Sequence, residues 1–277
     1  MNRKGTVGSN PITRSTDQPI TRSSNIARSF LHPPSLVVYI TCGDPDLKTT
    51  REIILAAIRN GADVIEMGVP FSDPVADGPV IQRASERALR NNTSLQDVLR
   101  LGAEIRKESD AGLIVFSYLN PVLRFGMERF CSEAASAGVD GALVTDLTVE
   151  EAHDYRCLMA AHELDTIFLA APTSPDQRLK RITEACSGFV YAVSRTGVTG
   201  TQKQLAGDAR DLVKRIRRFS RLPVAVGFGI SNAEQFAQVG EFADAGAVGS
   251  AIVQAIEQSS GNEAQVVGEL IRTLKSR

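Results

Sequence analysis

The stretch Ala62-Asp63-Val64-Ile65-Glu66-Met67-Gly68-Val69-Pro70-Phe71-Ser72-Asp73-Pro74-Val75-Ala76-Asp77-Gly78-Pro79 is a short apolar run closed by glycine and proline, followed by a polar loop. A run of this length with that punctuation reads as a buried strand. Similar β-branched runs recur at 36–41, 113–117, 141–145, 166–170, 188–193, 223–226 and 243–248. Segments with helical period lie at 48–60, 94–107, 127–137, 150–163, 177–186, 209–218, 233–239 and 251–258. Eight strands that each lead to a helix predict an α/β fold, a single (β/α)8 TIM barrel. A doubly wound open sheet is the alternative, and it lacks support because no GxGxxG follows the first strand. There is no short sequence repeat.

The composition agrees with that size of core. The chain has 277 residues, of which 43% are hydrophobic, enough for one large barrel and without a long uncharged apolar run for a membrane span. A net charge of −1 gives no bulk field for nucleic acid or membrane. Cys42, Cys131, Cys157 and Cys186 form no CxxC, and His32, His153 and His162 do not cluster. The expectation is reduced thiols, a cytoplasmic-type compartment and no metal site.

Residues 1–32 stand apart. They are rich in Ser, Thr, Asn, Pro and Arg, with Asp17 the only acidic residue. This segment is expected to be a flexible or disordered N-terminal extension, with the catalytic barrel spanning 33–277. No apolar signal region is present; an Arg- and Ser-rich, acid-poor start is also what a transit peptide looks like, which would place the protein in an organelle stroma.

In such barrels the chemistry sits on the loops after the strands. Glu66 is a carboxylate in a buried run, which costs several kcal/mol unless the group is paired or its pKa rises. It reads either as a structural ion pair or as one half of an acid–base site with Asp77 on the next loop. Asp77-Gly78 is equally a turn signal. Asp73-Pro74 suits rigid loop or contact chemistry better than proton transfer. Gly200, Gly229 and Gly249 follow the last three strands and allow backbone N–H groups to approach an anion. Gly249-Ser250 also opens a helix, whose first turn favours negative charge, so a phosphorylated small molecule is the expected ligand. The loop 197–206, with glycine at its start, suits a mobile lid or an ordinary exposed loop. Tyr191 reads as a ligand neighbour or as a core aromatic. No strand lysine suggests a Schiff base. Two carboxylates near a phosphate site suit proton-transfer cleavage or isomerisation.

Several motifs together resemble the tryptophan synthase alpha chain family. They are Tyr39-Ile40-Thr41-Cys42-Gly43-Asp44-Pro45, the block 66–82, Tyr118-Leu119-Asn120-Pro121, and the segments 138–146, 194–200, 227–231 and 249–253. The resemblance runs from about residue 36 to the C-terminus. It implies a lyase of aromatic amino-acid biosynthesis: retro-aldol cleavage of indole-3-glycerol phosphate to indole and glyceraldehyde 3-phosphate. It assigns Glu66 as the proton shuttle at indole C3 and the glycerol 3′-hydroxyl. Asp77 would bind the indole N–H and stabilise positive charge there. Thr199 would close onto Asp77, Gly200, Gly229, Gly249 and Ser250 would bind phosphate, and Tyr191 would lie beside the substrate. The resemblance also implies a β chain partner in an α2β2 heterotetramer, faced by Asp73, Pro74 and Asn120. The cofactor, pyridoxal phosphate, would belong to that partner and none to this chain.

The chain departs from the family pattern in a longer tail, a helix only weakly visible at 23–31 before Pro33-Pro34, Tyr39 where Phe is common, and Leu119 where Tyr or Ala is common. Three rival readings are a free-standing lyase, a non-catalytic regulatory subunit, and another phosphate-binding barrel of the same pathway. The last is disfavoured by Phe168-Leu169-Ala170-Ala171-Pro172 after strand five and by the missing strand lysines.

Overall fold

A computed structural model describes residues 25–193, 202–227 and 229–276. Eight parallel strands close in sequence order: β1 (Ser35–Thr41), β2 (Val64–Gly68), β3 (Gly112–Ser117), β4 (Gly141–Val144), β5 (Asp165–Ala170), β6 (Val190–Val193), β7 (Val224–Gly227) and β8 (Ala245–Val248). The first and last strands pair, with Val37 opposite Ala247. The helices are α1 (Asn25–Ser29), α2 (Leu47–Arg59), α3 (Pro79–Arg90), α4 (Leu95–Arg106), α5 (Leu119–Phe125) and α6 (Met127–Ser136). Then follow α7 (His153–Ala161), α8 (Asp176–Ala185), α9 (Gln202–Ile216), α10 (Ala233–Gly240), α11 (Ser250–Glu257) and α12 (Glu263–Lys275). The expected barrel is therefore present.

Both faces of most strands are buried, as parallel strands under helices require. Alternate residues point inward. Val37, Val64, Ile114, Leu143, Ile167, Phe189, Ala225 and Ala245 fill the lower interior, with Phe116, Leu169 and Tyr191 above them. The neighbours pointing outward pack under the helices in a second, larger cluster. A TIM barrel interior is a packed core, so the only room for chemistry is at the mouth.

The lower end is closed by α1. Ile26 is fully buried and joins the interior cluster with Phe30, whose ring centroid lies 5.4 Å from that of Phe189. Asn25 Nδ2 donates to Asp140 Oδ1 at 2.8 Å, and Ser29 Oγ donates to the Asp63 carbonyl at 2.8 Å. The folded body thus begins before residue 33, because the apolar residues of 25–30 plug the barrel despite the polar character around them. Three more helices go beyond the sequence reading: α3, α5 and α12. Helix α7 starts at His153, later than expected, because 149–151 form a turn. All four cysteines are free thiols. Among the described residues, no helix is long and apolar enough to cross a membrane.

Candidate active site

Glu66 stands on β2 with Tyr39 of β1 and Ile114 of β3 as its register partners. The same-face position two residues on is Gly68. A Cβ there would lie 2.4 Å from the Tyr39 hydroxyl. The glycine therefore lets the Tyr39 ring lean across β2, where it meets Phe116 edge-on at 5.0 Å. Gly227 plays the same part for Tyr191, whose hydroxyl would sit 2.8 Å from an added Cβ. These two glycines fold two tyrosines over the layer that contains Glu66.

Glu66 is 1% exposed, and its buried Oε1 has no hydrogen-bond partner among the described residues. An ion-pair role for Glu66 is not what the geometry provides. Burial without compensation pushes its pKa up to about 8, so the group is protonated at neutral pH. Burial likewise raises Tyr39 and Tyr191, with the Asp77 charge second for Tyr39 and the Glu66 charge second for Tyr191. Both hydroxyls stay protonated, and Thr41 Oγ1 donates to Tyr39 Oη at 3.4 Å.

Asp77 is half-buried at the end of the β2–α3 loop. Its backbone is held by the Asp77 N–H to Pro74 carbonyl bond of 3.0 Å and by Gln82 Nε2 donating to the Asp77 carbonyl at 2.8 Å. Its carboxylate accepts from Tyr118 Oη at 3.1 Å. Burial raises its pKa to about 6, and the Tyr118 bond works in the opposite direction. The turn signal at Asp77-Gly78 turns out to be a helix start: Gly78 is the N-cap and Pro79 the first residue of α3. Two carboxyls with pKa values near 8 and near 6 lie on β2 and on the loop that follows it, one neutral and one ionised at pH 7. That separation is what general-acid chemistry beside charge stabilisation needs.

Gly229 follows β7 with φ +73°, and an added Cβ would meet nothing within 4 Å. Left-handed backbone, rather than crowding, is the reason for glycine here. Gly249 caps α11 without any side-chain hydrogen bond, and Ser250 is exposed on the first turn. An anion there would meet first-turn N–H groups and the positive end of the dipole. Thr199 and Gly200, with residues 197–201 of the expected lid, lie outside the described residues, and 202–206 open α9, which starts earlier than the expected 209.

Asp73 and Asn120 are exposed and Pro74 half-buried; of the three, Asn120 lines a cavity of about 430 Å³ together with Phe71, Ser72, Arg124 and Phe125. Val75, on the same loop as Asp73, and Leu123, on α5, are strongly exposed apolar side chains. Tyr118 is the site residue without an assigned role in the sequence reading. Its one signal in the sequence is its place in Tyr118-Leu119-Asn120-Pro121, directly after β3.

The sequence profile of the tryptophan synthase alpha chain family matches residues 32–276. The chain belongs to the tryptophan synthase alpha chain family. The family's member from Solibacter usitatus is 50% identical over 230 residues, 83% of this chain and 86% of that one. The solved tryptophan synthase subunit alpha from Legionella pneumophila superposes with a TM-score of 0.83 at 34% identity, covering 91% of this chain and 97% of that one. A chain of the tryptophan synthase complex from Pyrococcus furiosus gives 0.79 at 38% identity, covering 87% and 97%. As a member of that family, the chain is a lyase and acts as the alpha subunit in tryptophan biosynthesis.

Proposed function

We propose that the chain cleaves indole-3-glycerol phosphate to indole and glyceraldehyde 3-phosphate. The observation that carries this reading is the contrast between sealed, protonated Glu66 and half-open, ionised Asp77. Indole is a poor carbanion leaving group, so C3 must gain a proton before the C–C bond breaks. Neutral Glu66 gives its proton to C3, which forms an indolenine with positive charge at nitrogen. Asp77 accepts the indole N–H bond and stabilises that charge. Glu66, now a carboxylate, takes the proton of the 3′-hydroxyl. The C–C electrons return to the ring, and aldehyde and indole separate.

Gly229, Gly249 and Ser250, with Gly200, hold the phosphate at the α11 end. Thr199 closes onto Asp77, and Tyr191 flanks the ring. These two carboxyls suffice for the cleavage, so the reading requires no cofactor in this chain.

The partner is a tryptophan synthase β chain in an α2β2 assembly, with pyridoxal phosphate held by that chain. Asp73, Pro74 and Asn120 face it. The exposed apolar side chains Val75 and Leu123 support a protein contact at that surface.

Indole release by the purified chain, alone and with a β chain, tests the reading. Slow turnover that rises with the β chain is expected. Fast turnover indifferent to the partner would point to a free-standing lyase, and no turnover in either case to a regulatory subunit.

A further inference from the structure

We propose that Arg87 is a positioning residue that fixes the distance between Asp77 and the phosphate end of the site; this deepens the reading above and rests on it. Helix α3 starts two residues after Asp77, and α11 starts at Ser250. The two helices share one apolar contact, built from Ala84, Val253 and Tyr39 with Val80 and Ile81 against them. Apolar packing of this kind tolerates small slides along the helix axes. A polar clamp further along both helices does not. Arg87 Nε and Nη2 grip both oxygens of Asp44, each at 2.8 Å, and Nη1 reaches Glu257 Oε1 at 2.7 Å. Arg83 Nε and Nη2 hold the same Glu257 at 2.8 and 2.7 Å.

Asp44 is 2% exposed, on the loop after β1, so the clamp is anchored to the barrel itself. That loop is fixed too: Gly43 has φ +91°, and a Cβ there would lie 2.0 Å from Thr93 Oγ1. By helical rise, Arg87 is about 12 Å from the start of α3, and Glu257 about 10 Å from the start of α11. Two arms of similar length, tied at one end to the same guanidinium, present Asp77 and Gly249-Ser250 at the other. Only a planar fork can hold Asp44 through both oxygens and Glu257 at once, so Lys is no substitute.

The test uses the full chain, with indole release and inhibition by inorganic phosphate as readouts. Arg87→Met is expected to lower kcat about tenfold and to weaken phosphate inhibition about fivefold, as small misplacements of reacting groups do. Arg87→Lys is expected to restore neither. On an Asp77→Asn background, Arg87→Met should cost less than about twofold in kcat, because its effect passes through Asp77. The same tenfold loss on both backgrounds would overturn the proposal. So would a lower melting temperature with kcat and phosphate inhibition unchanged.

If Arg87→Met fails to fold, Glu257→Gln keeps the Asp44 grip and should shift both readouts in the same direction; no shift in either overturns the proposal. Full activity of Asp77→Asn alone would instead overturn the role given to Asp77. Phosphate inhibition by the Arg87 variants then decides the clamp by itself.

Discussion

Tyr118 Oη donates to Asp77 Oδ2 at 3.1 Å while accepting from the Ala76 N–H at 3.0 Å, so one phenol fixes both the carboxylate and the loop that bears it. The Phe71 ring packs 5.2 Å from the Tyr118 ring and holds the phenol in place. Tyr118→Phe keeps that packing and removes both bonds. The Asp77 carboxyl then loses the contact that opposes its upward shift. The lower limb of the pH–rate profile should move up, and kcat at pH 7 should fall about five- to tenfold, as expected for about 1 kcal/mol of lost hydrogen bonding. An unmoved limb would show that the bond is idle in the working enzyme.

The two carboxyls also predict the shape of that profile. Asp77 must be ionised, which sets a rising limb near pH 6, and Glu66 must be protonated, which sets a falling limb near pH 8. Glu66→Gln should abolish cleavage with substrate binding within about tenfold of the parent. Asp77→Asn should lose about two to four orders of magnitude in rate, the cost of an unstabilised charge, and flatten the acid limb. Rate profiles of both variants between pH 5 and 9, with binding measured separately, check this. A surviving acid limb in Asp77→Asn would assign it to another group.

Glu66 has a cost in stability whose sign is set by its shift. Its pKa is raised in the folded state, so the folded chain binds the proton more tightly than the unfolded one. The stability is full below the unfolded value near 4.5 and is lost as pH rises through about 8. Above pH 8 the folded chain contains a buried carboxylate with an unpartnered oxygen, a penalty on the order of a few kcal/mol. Glu66→Gln should therefore melt several degrees above the parent at pH 9 and close to it at pH 5. Equal melting temperatures at pH 9 would mean that the carboxylate finds a partner when it ionises.

How much of this was legible follows the range of each interaction. Glu66 announced itself because an acid in an apolar run is a local anomaly, and the eight strands did so because their punctuation is local. Helix α3 is hidden because Asp77-Gly78 reads as a turn, although a glycine cap followed by a first-turn proline is also a helix start. Pro121 hid α5 in the same way. Helix α12 carried its signal openly in Val266, Val267, Leu270, Ile271 and Leu274, spaced for one helix face. The Tyr118–Asp77 bond spans 41 positions and the Arg87–Asp44 clamp 43, and nothing in either neighbourhood marks the other end. Strand register and helix packing create those contacts, so only the folded chain displays them.

The close approach of Tyr39 to Gly68 yields the last prediction. An added Cβ at Gly68 would lie 2.4 Å from the hydroxyl, 2.6 Å from Cζ and 2.8 Å from Cε2. Gly68→Ala must push the whole ring away from the layer above Glu66, and overpacking of that kind destabilises by about 1–3 kcal/mol. Removing the hydroxyl alone gives little relief, because Cζ and Cε2 remain too close. The double variant Gly68→Ala, Tyr39→Phe should accordingly stay near the stability and KM of Gly68→Ala, while Tyr39→Phe alone should fold like the parent. Thermal melts and KM for indole-3-glycerol phosphate across the three variants decide it. Recovery in the double variant would mean that the hydroxyl, and not the ring, is what needs the glycine.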